Sequence, residues 1–194
     1  TYITLAPELD GAIPFIKEMA KRGVLVSLGH HNATADRIAR AVDAGARMCT
    51  HLGNGIASML NRHNNPLWPQ LAEDRLHASV IADLEHLPPP MLKTIARVKG
   101  PDRLIITSDA VHIAGMKPGR YDLAGMPVEL LKTGRIRLSG TDLLAGSAAT
   151  LLQGVLNAAR YTDLTLAQAF ACASTVPGEL FRVSRRGISH KRDA

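Results

Sequence analysis

The chain of 194 residues is poor in the residues that would tie it to a membrane, a disulfide scaffold or stacked bases. It has two cysteines, Cys49 and Cys172, in apolar surroundings and without CxxC spacing. That pattern excludes a disulfide framework and reads as buried thiols in a reducing, cytoplasmic setting. No run of about 18 apolar residues occurs, so no segment is expected to span a membrane. The opening Thr-Tyr-Ile-Thr-Leu-Ala-Pro carries no signal-peptide pattern. It starts inside what reads as a strand, without an initiator Met, as a fragment would. Aromatic residues make up only 4% of the chain, with one Trp. None interleaves with the basic run Arg182, Arg185, Arg186, Lys191 and Arg192, which carries much of the +6 net charge. Nucleic acid is therefore not an expected partner, and residues 182–194 read as a basic, solvated tail without fixed structure.

What is present is an ordinary globular composition, 46% apolar and 21% charged, in a chain the size of one domain. Five short apolar runs stand out: Tyr2–Leu5, Val24–Leu28, Arg47–Thr50, Ala78–Ala82 and Leu104–Thr107. Most do not alternate with polar residues, as expected of strands buried on both faces of a parallel sheet. Helical patterns lie between or after them at Leu9–Arg22, Thr34–Ala44 and Pro90–Val98, with Gly23 and Gly45 as stop signals. Repeated βα units of this length predict an all-parallel α/β fold, either a barrel or a doubly wound sheet. Pro127–Leu131, Lys132-Thr133-Gly134 and Arg135–Leu138 read as a β-hairpin inserted near 121–139. Two further helices are expected at Thr150–Tyr161 and Thr165–Ser174, with Pro177-Gly178 separating the second from the tail.

The chemistry-bearing residues fall at the ends of these runs. The first ends in Ala6-Pro7-Glu8, the second in Gly29-His30-His31 and the third in Thr50-His51. The fourth runs into Asp83 with His86 just after it, and the fifth ends in Ser108-Asp109. In a parallel barrel such ends share one face, where active sites are built. Glu8, His30 and His51 suit a divalent metal, and a nearby carboxylate such as Asp109 suits proton transfer in hydrolysis. Taken singly, each has a plainer role: a hydrogen-bonded structural His, a helix-start carboxylate for Glu8, an N-cap for Asp109. It is the conjunction over five strand ends that favours a site.

The motifs Thr-Leu-Ala-Pro-Glu (4–8), Gly-His-x-Asn-Ala-Thr (29–34), Thr-His-Leu-x-Asn (50–54), Ile-Ala-Asp-x-x-His (81–86), Thr-Ser-Asp-Ala (107–110) and Leu-Ala-Gly-Ser (144–147) resemble, in order and spacing, the N-acetylglucosamine-6-phosphate deacetylase family of the amidohydrolase superfamily. The resemblance covers roughly residues 1 to 180. It implies a partial (β/α)8 TIM barrel over 1–181, corresponding to the C-terminal five βα units of the family's catalytic barrel. It implies a divalent metal, foremost zinc with iron, manganese or cobalt as alternatives, on Glu8, His30 and His51. Asp109 becomes the general acid and base. His86, Asn54, Gly55 and Arg62 become contacts to an amino-sugar phosphate, with Arg62 reaching across a homodimer, although a plain surface arginine would read the same. Several positions depart from the family pattern. Gly53 replaces an aromatic residue, Leu84 a glycine, and Glu85 adds negative charge, so a different N-acetyl sugar or a cyclic amide stays open as substrate. A chain that only binds metal or sugar phosphate is the non-catalytic alternative.

Overall fold

A computed structural model of the chain describes residues 1–183; the basic run beyond Val183 lies outside the described residues. Five strands form one parallel sheet in sequence order: β1 (Tyr2–Leu5), β2 (Leu25–Leu28), β3 (Ala46–Cys49), β4 (His77–Ile81) and β5 (Leu104–Thr107). Every neighbouring pair is parallel. The five apolar runs of the sequence thus become five strands, with ends shifted by a residue or two. The sheet is open among the described residues. Sequential parallel order is consistent with part of a barrel, and no closed barrel is present among these residues.

Helices α1 (Ala12–Lys21), α2 (Ala35–Ala44), α3 (Leu67–Ala72) and α4 (Pro89–Lys99) follow the first four strands in turn. They are joined by α5 (Leu151–Tyr161) and α6 (Leu166–Cys172). Their apolar stripes meet one face of the sheet in a core that includes Ile16, Val26, Leu28, Ile38, Val80, Leu92, Leu104 and Ile106. Each fully buried Leu or Ile of this kind contributes roughly 1.5–3 kcal/mol. Threonine side chains start three of the helices. Thr34 accepts from the Arg37 amide, Thr150 from that of Gln153, and Thr165 forms a reciprocal capping box with Gln168. Such caps contribute about 1 kcal/mol each.

The opposite face of the sheet carries a different inventory. Hydroxyls of Thr4, Ser27 and Thr50 join β1, β2 and the end of β3 through contacts of 2.8 and 2.6 Å. Helix α7 (Thr175–Leu180) lies against this face, where Val176, Leu180 and Phe181 pack with Met48, Ile105 and Leu25. Pro177 and Gly178, expected to separate a helix from the tail, are instead inside α7. Early in a helix the amide that proline lacks has no intrahelical partner to lose.

The excursion after β5 is larger than a hairpin. Three antiparallel strands, β6 (Gly119–Leu123), β7 (Met126–Leu130) and β8 (Ile136–Leu138), form a second sheet. It closes over its own small core of Ile113, Val128, Leu130 and Ile136. The expected turn at Lys132–Gly134 is present, with Gly134 at φ 87° and its amide bonded to the Leu131 carbonyl. The chain then returns beside the end of β5: the Ser147 amide donates to the Asp109 carbonyl at 3.0 Å, and the Val111 amide to that of Ser147 at 3.1 Å.

Candidate active site

Because β1 to β5 run in parallel, the residues after each strand gather along one edge of the sheet. His30, His51 and Asp109 each stand two positions beyond the last residue of β2, β3 and β5. All three take left-handed backbone conformations, with φ of 52°, 31° and 49°. A residue other than glycine held there costs on the order of 1–2 kcal/mol, and such strain concentrates at functional sites. The repeat of one turn at three strand ends aims three polar side chains into the same space.

That space is a cleft of about 490 Å³ lined by His30, His51, Asn54, Gly55, His86 and Asp109, closed on its far side by Arg135, Leu143 and Leu144 of the inserted region. Six of the eight residues singled out in the sequence therefore share one cavity wall.

The closest approach within the cleft is between the two imidazoles. His30 Nε2 and His51 Nε2 face each other at 2.9 Å, with the rings edge-on at 78°. The His51 amide donates to Ser79 Oγ at 2.8 Å, which anchors this turn to β4. Burial pushes the His51 imidazole below its ordinary range, with nearby Asp109 opposing that shift and His30 adding to it. His51 Nδ1 is buried without a partner. Gly55 lies directly against the His30 ring: a β-carbon there would come within 2.8 Å of Nδ1, so the backbone of this loop sets the ring's position.

His86 is held differently. Its Nδ1 is 2.7 Å from Asp83 Oδ2, and both side chains are more than nine-tenths buried. Burial alone would raise the Asp83 carboxyl, but its bonds to the His86 ring and to the amides of His86 and Glu85 hold it below its ordinary value. An ionised Asp83 can only accept, so Nδ1 of His86 donates and Nε2 is left as the free nitrogen. Ser147 Oγ donates to the same carboxylate oxygen at 3.1 Å. Asp83 stands at the fourth strand end and Ser147 in the Leu-Ala-Gly-Ser motif, but neither is among the site residues expected from the sequence. The Asp-x-x-His spacing is the available signal for the first, and Ser147 is joined to it only by folding.

Two expected residues stand apart from the cleft lining. Glu8 is exposed and accepts from the Asn32 amide at 2.7 Å. Its loop is clamped by Arg37, which donates to the carbonyls of Pro7 and Leu9 at 2.6 and 3.1 Å. Arg62 is exposed, in a loop whose backbone carbonyl at that residue accepts from the Trp68 indole. His31, adjacent to His30, is buried; its Nδ1 accepts from the Ala33 amide at 3.3 Å. Burial lowers its pKa, against a raising hydrogen bond to Gln70, so it serves packing.

Whether these residues fit a divalent ion divides into two parts. The facing imidazole nitrogens present two donors of the right chemistry at one point. Among the described residues no group of three His, Cys, Asp or Glu side chains is gathered so as to hold an ion.

No family model matches the chain. It is 32% identical over 185 residues to N-acetylglucosamine-6-phosphate deacetylase of Lysinibacillus sphaericus, covering 95% of this chain and 47% of that protein. It is likewise 32% identical over 181 residues to N-acetylgalactosamine-6-phosphate deacetylase of Escherichia coli O157:H7, covering 93% and 47%. Among solved structures, a variant of N-acetyl-D-glucosamine-6-phosphate deacetylase from Mycobacterium smegmatis in complex with N-acetyl-D-glucosamine-6-phosphate superposes with a TM-score of 0.87 at 32% identity. That superposition covers 93% of this chain and 48% of the mycobacterial one. The chain spans about half the length of the curated relatives it matches. In sequence and in fold alike, this chain matches N-acetylglucosamine-6-phosphate deacetylases over nearly all of its own length and about half of theirs.

Proposed function

We propose that the protein hydrolyses the acetamide of an N-acetylhexosamine 6-phosphate, releasing acetate and the free amino sugar. The observation that carries this reading is the meeting of His30, His51, His86 and Asp109 on one cleft at the carboxyl ends of successive parallel strands. In this reading residues 1–181 are part of an amidohydrolase barrel, completed by the elements that its longer relatives carry.

His30 and His51 would hold a divalent ion, and Glu8 would join them as the third protein ligand only by leaving the Asn32 amide it accepts from here. Bound there, the ion supplies Lewis-acid chemistry, making water nucleophilic and polarising a carbonyl. Asp109, exposed at the mouth of the cleft, takes the proton from the attacking water and returns it to the departing nitrogen. His86, fixed by Asp83 through Nδ1, turns Nε2 toward a sugar hydroxyl as an acceptor. Asn54 and the backbone at Gly55 sit beside it on the same wall, as sugar contacts would. Arg62, on an exposed loop, would serve a neighbouring subunit's phosphate site in a homodimer.

The test is acetate release from N-acetylglucosamine 6-phosphate by the purified protein, supplied in turn with zinc, iron, manganese and cobalt. Turnover that Asp109→Asn reduces by at least about a thousandfold, with metal content unchanged, is the expected result. Turnover only when the elements of the longer relatives are supplied would mark this chain as inactive alone, and no turnover with any of the four metals in either form would sink the reading. The same assay on the galactosamine epimer decides between the two sugars named among the relatives.

A further inference from the structure

Arg135 reaches out of the second sheet and borders two spaces at once. It lines the 490 Å³ cleft with His51, His86 and Asp109, and an adjoining compartment of about 250 Å³ around Asp83, Glu85 and Ser147. One terminal nitrogen is pinned, donating to the Asp142 carbonyl at 3.1 Å. Nε is buried and has no hydrogen-bond partner. The nearest carboxylate oxygen, Glu85 Oε2, stands 3.9 Å from it, beyond hydrogen-bond reach. The Asp142 carboxylate is turned to Arg137, at 3.4 Å. A guanidinium is always charged and cannot shed the unsatisfied proton. A buried donor left in that state calls for an acceptor that arrives from outside the chain.

We infer that Arg135 is a specificity-determining residue, delivered to the cleft by the second sheet, which receives an anionic oxygen of the substrate. The identity of that anion as a sugar phosphate rests on the deacetylase reading; the placement of Arg135 does not. A planar fork with one arm fixed by Asp142 and another free suits a phosphate monoester, whose oxygens accept at two or three points. Glu85 acts as the counterweight. It partly neutralises Arg135 when no ligand is present and competes with an incoming phosphate, so selectivity is set by the pair. The residue that adds negative charge near the cleft and the arginine that answers it lie on separate elements, joined only by the fold.

The experiment is titration calorimetry of the purified protein with glucosamine 6-phosphate and with glucosamine, on wild type, Arg135→Gln, Arg135→Lys and Glu85→Gln. Wild type should prefer the phosphorylated sugar. Arg135→Gln should weaken that ligand by roughly tenfold to a hundredfold, the range for one charge-assisted hydrogen bond, and leave glucosamine unchanged. Arg135→Lys should fall between, and Glu85→Gln should tighten the phosphorylated sugar. A thermal melt reports folding; if Arg135→Gln melts early, Arg135→Lys carries the test. Equal affinities of wild type and a folded Arg135 variant for glucosamine 6-phosphate would overturn the inference, as would a wild type that ignores the phosphate. A wild type that binds the phosphorylated sugar through Arg135 but releases no acetate would overturn only the deacetylase reading.

Discussion

Asp83 Oδ2 lies 2.7 Å from His86 Nδ1, three residues along the same turn, with both side chains nearly sealed from solvent. This pair fixes which nitrogen of His86 faces the cleft. Replacing Asp83 by Asn keeps the shape but lets the amide present its NH₂ to the ring, which favours the other tautomer. On the proposed reaction Asp83→Asn is expected to lower kcat by about tenfold to a hundredfold, as for other residues that orient a working histidine. Ser147→Ala, which removes a second donor to the same carboxylate, should cost less than Asp83→Asn. Steady-state kinetics together with a melt separate this from simple unfolding.

The facing ε-nitrogens of His30 and His51 make a second expectation. Metal analysis after equilibration with zinc should find near-stoichiometric ion in wild type and none in His30→Ala or His51→Ala. Gly55→Ala, whose β-carbon would press on the His30 ring at a φ of 64°, should weaken metal binding while both ligands remain. Unchanged affinity in Gly55→Ala would mean that this loop does not position the imidazole.

Gly53 stands where the family resemblance implies an aromatic side chain, and the fold shows why that cannot simply be restored. At φ 94° a β-carbon would meet Met91 Cε at 2.7 Å and Leu87 Cδ2 at 3.0 Å. Gly53→Tyr should destabilise by about 1–3 kcal/mol, from overpacking and backbone strain together. Adding Met91→Ala should recover part of the loss in a denaturant melt. A Gly53→Tyr protein as stable as wild type would show that the loop can move away.

The acid limb of stability should carry a contribution from Glu73. Hydrogen bonding to Arg75 holds its carboxyl down at about 2, from an ordinary 4.5, against an opposing effect of burial. A depressed carboxyl stabilises the fold above its unfolded value and loses that contribution as pH falls through the folded one. Wild type should therefore lose melting temperature between pH 4.5 and 2 more steeply than Glu73→Gln. Parallel curves would show that the exposed pair contributes nothing, as screened surface pairs often do.

Much of the fold and of the site is legible in the residues. Five buried strands announce themselves as short apolar runs, and three strand ends carry His or Asp at matching positions. The features that escape are short or irregular. Helix α3 spans only Leu67–Ala72, too few turns for a periodic stripe, and it begins where Asn65 Oδ1 accepts from the Leu67 amide. Strand β6 joins β7 through Ala124-Gly125, both at positive φ; alanine there hides a turn that Asn-Gly or Asp-Gly would signal. The roles of Ser147 and Arg135 arise from contacts between distant segments, which no local pattern records, whereas the Asp83–His86 contact is local and signalled by the Asp-x-x-His spacing. Leu84, a bulky residue in a tight turn, does sit at a strained φ of 71°. Packing of its side chain against the main core offsets that strain.

The shared two-residue step from strand end to working side chain in β2, β3 and β5 also divides the chain by its tolerance to change in length. One residue added inside that step would swing His30, His51 or Asp109 to the other side of the edge and erase the cleft in a single event. Beyond the step the same sheet tolerates excursions as long as the whole second sheet between Asp109 and Ser147, whose ends are brought back together by two backbone hydrogen bonds. On the proposed reaction, new substrate preferences would therefore come from lengthening or exchanging the loops downstream of the step, while His30, His51 and Asp109 keep their places.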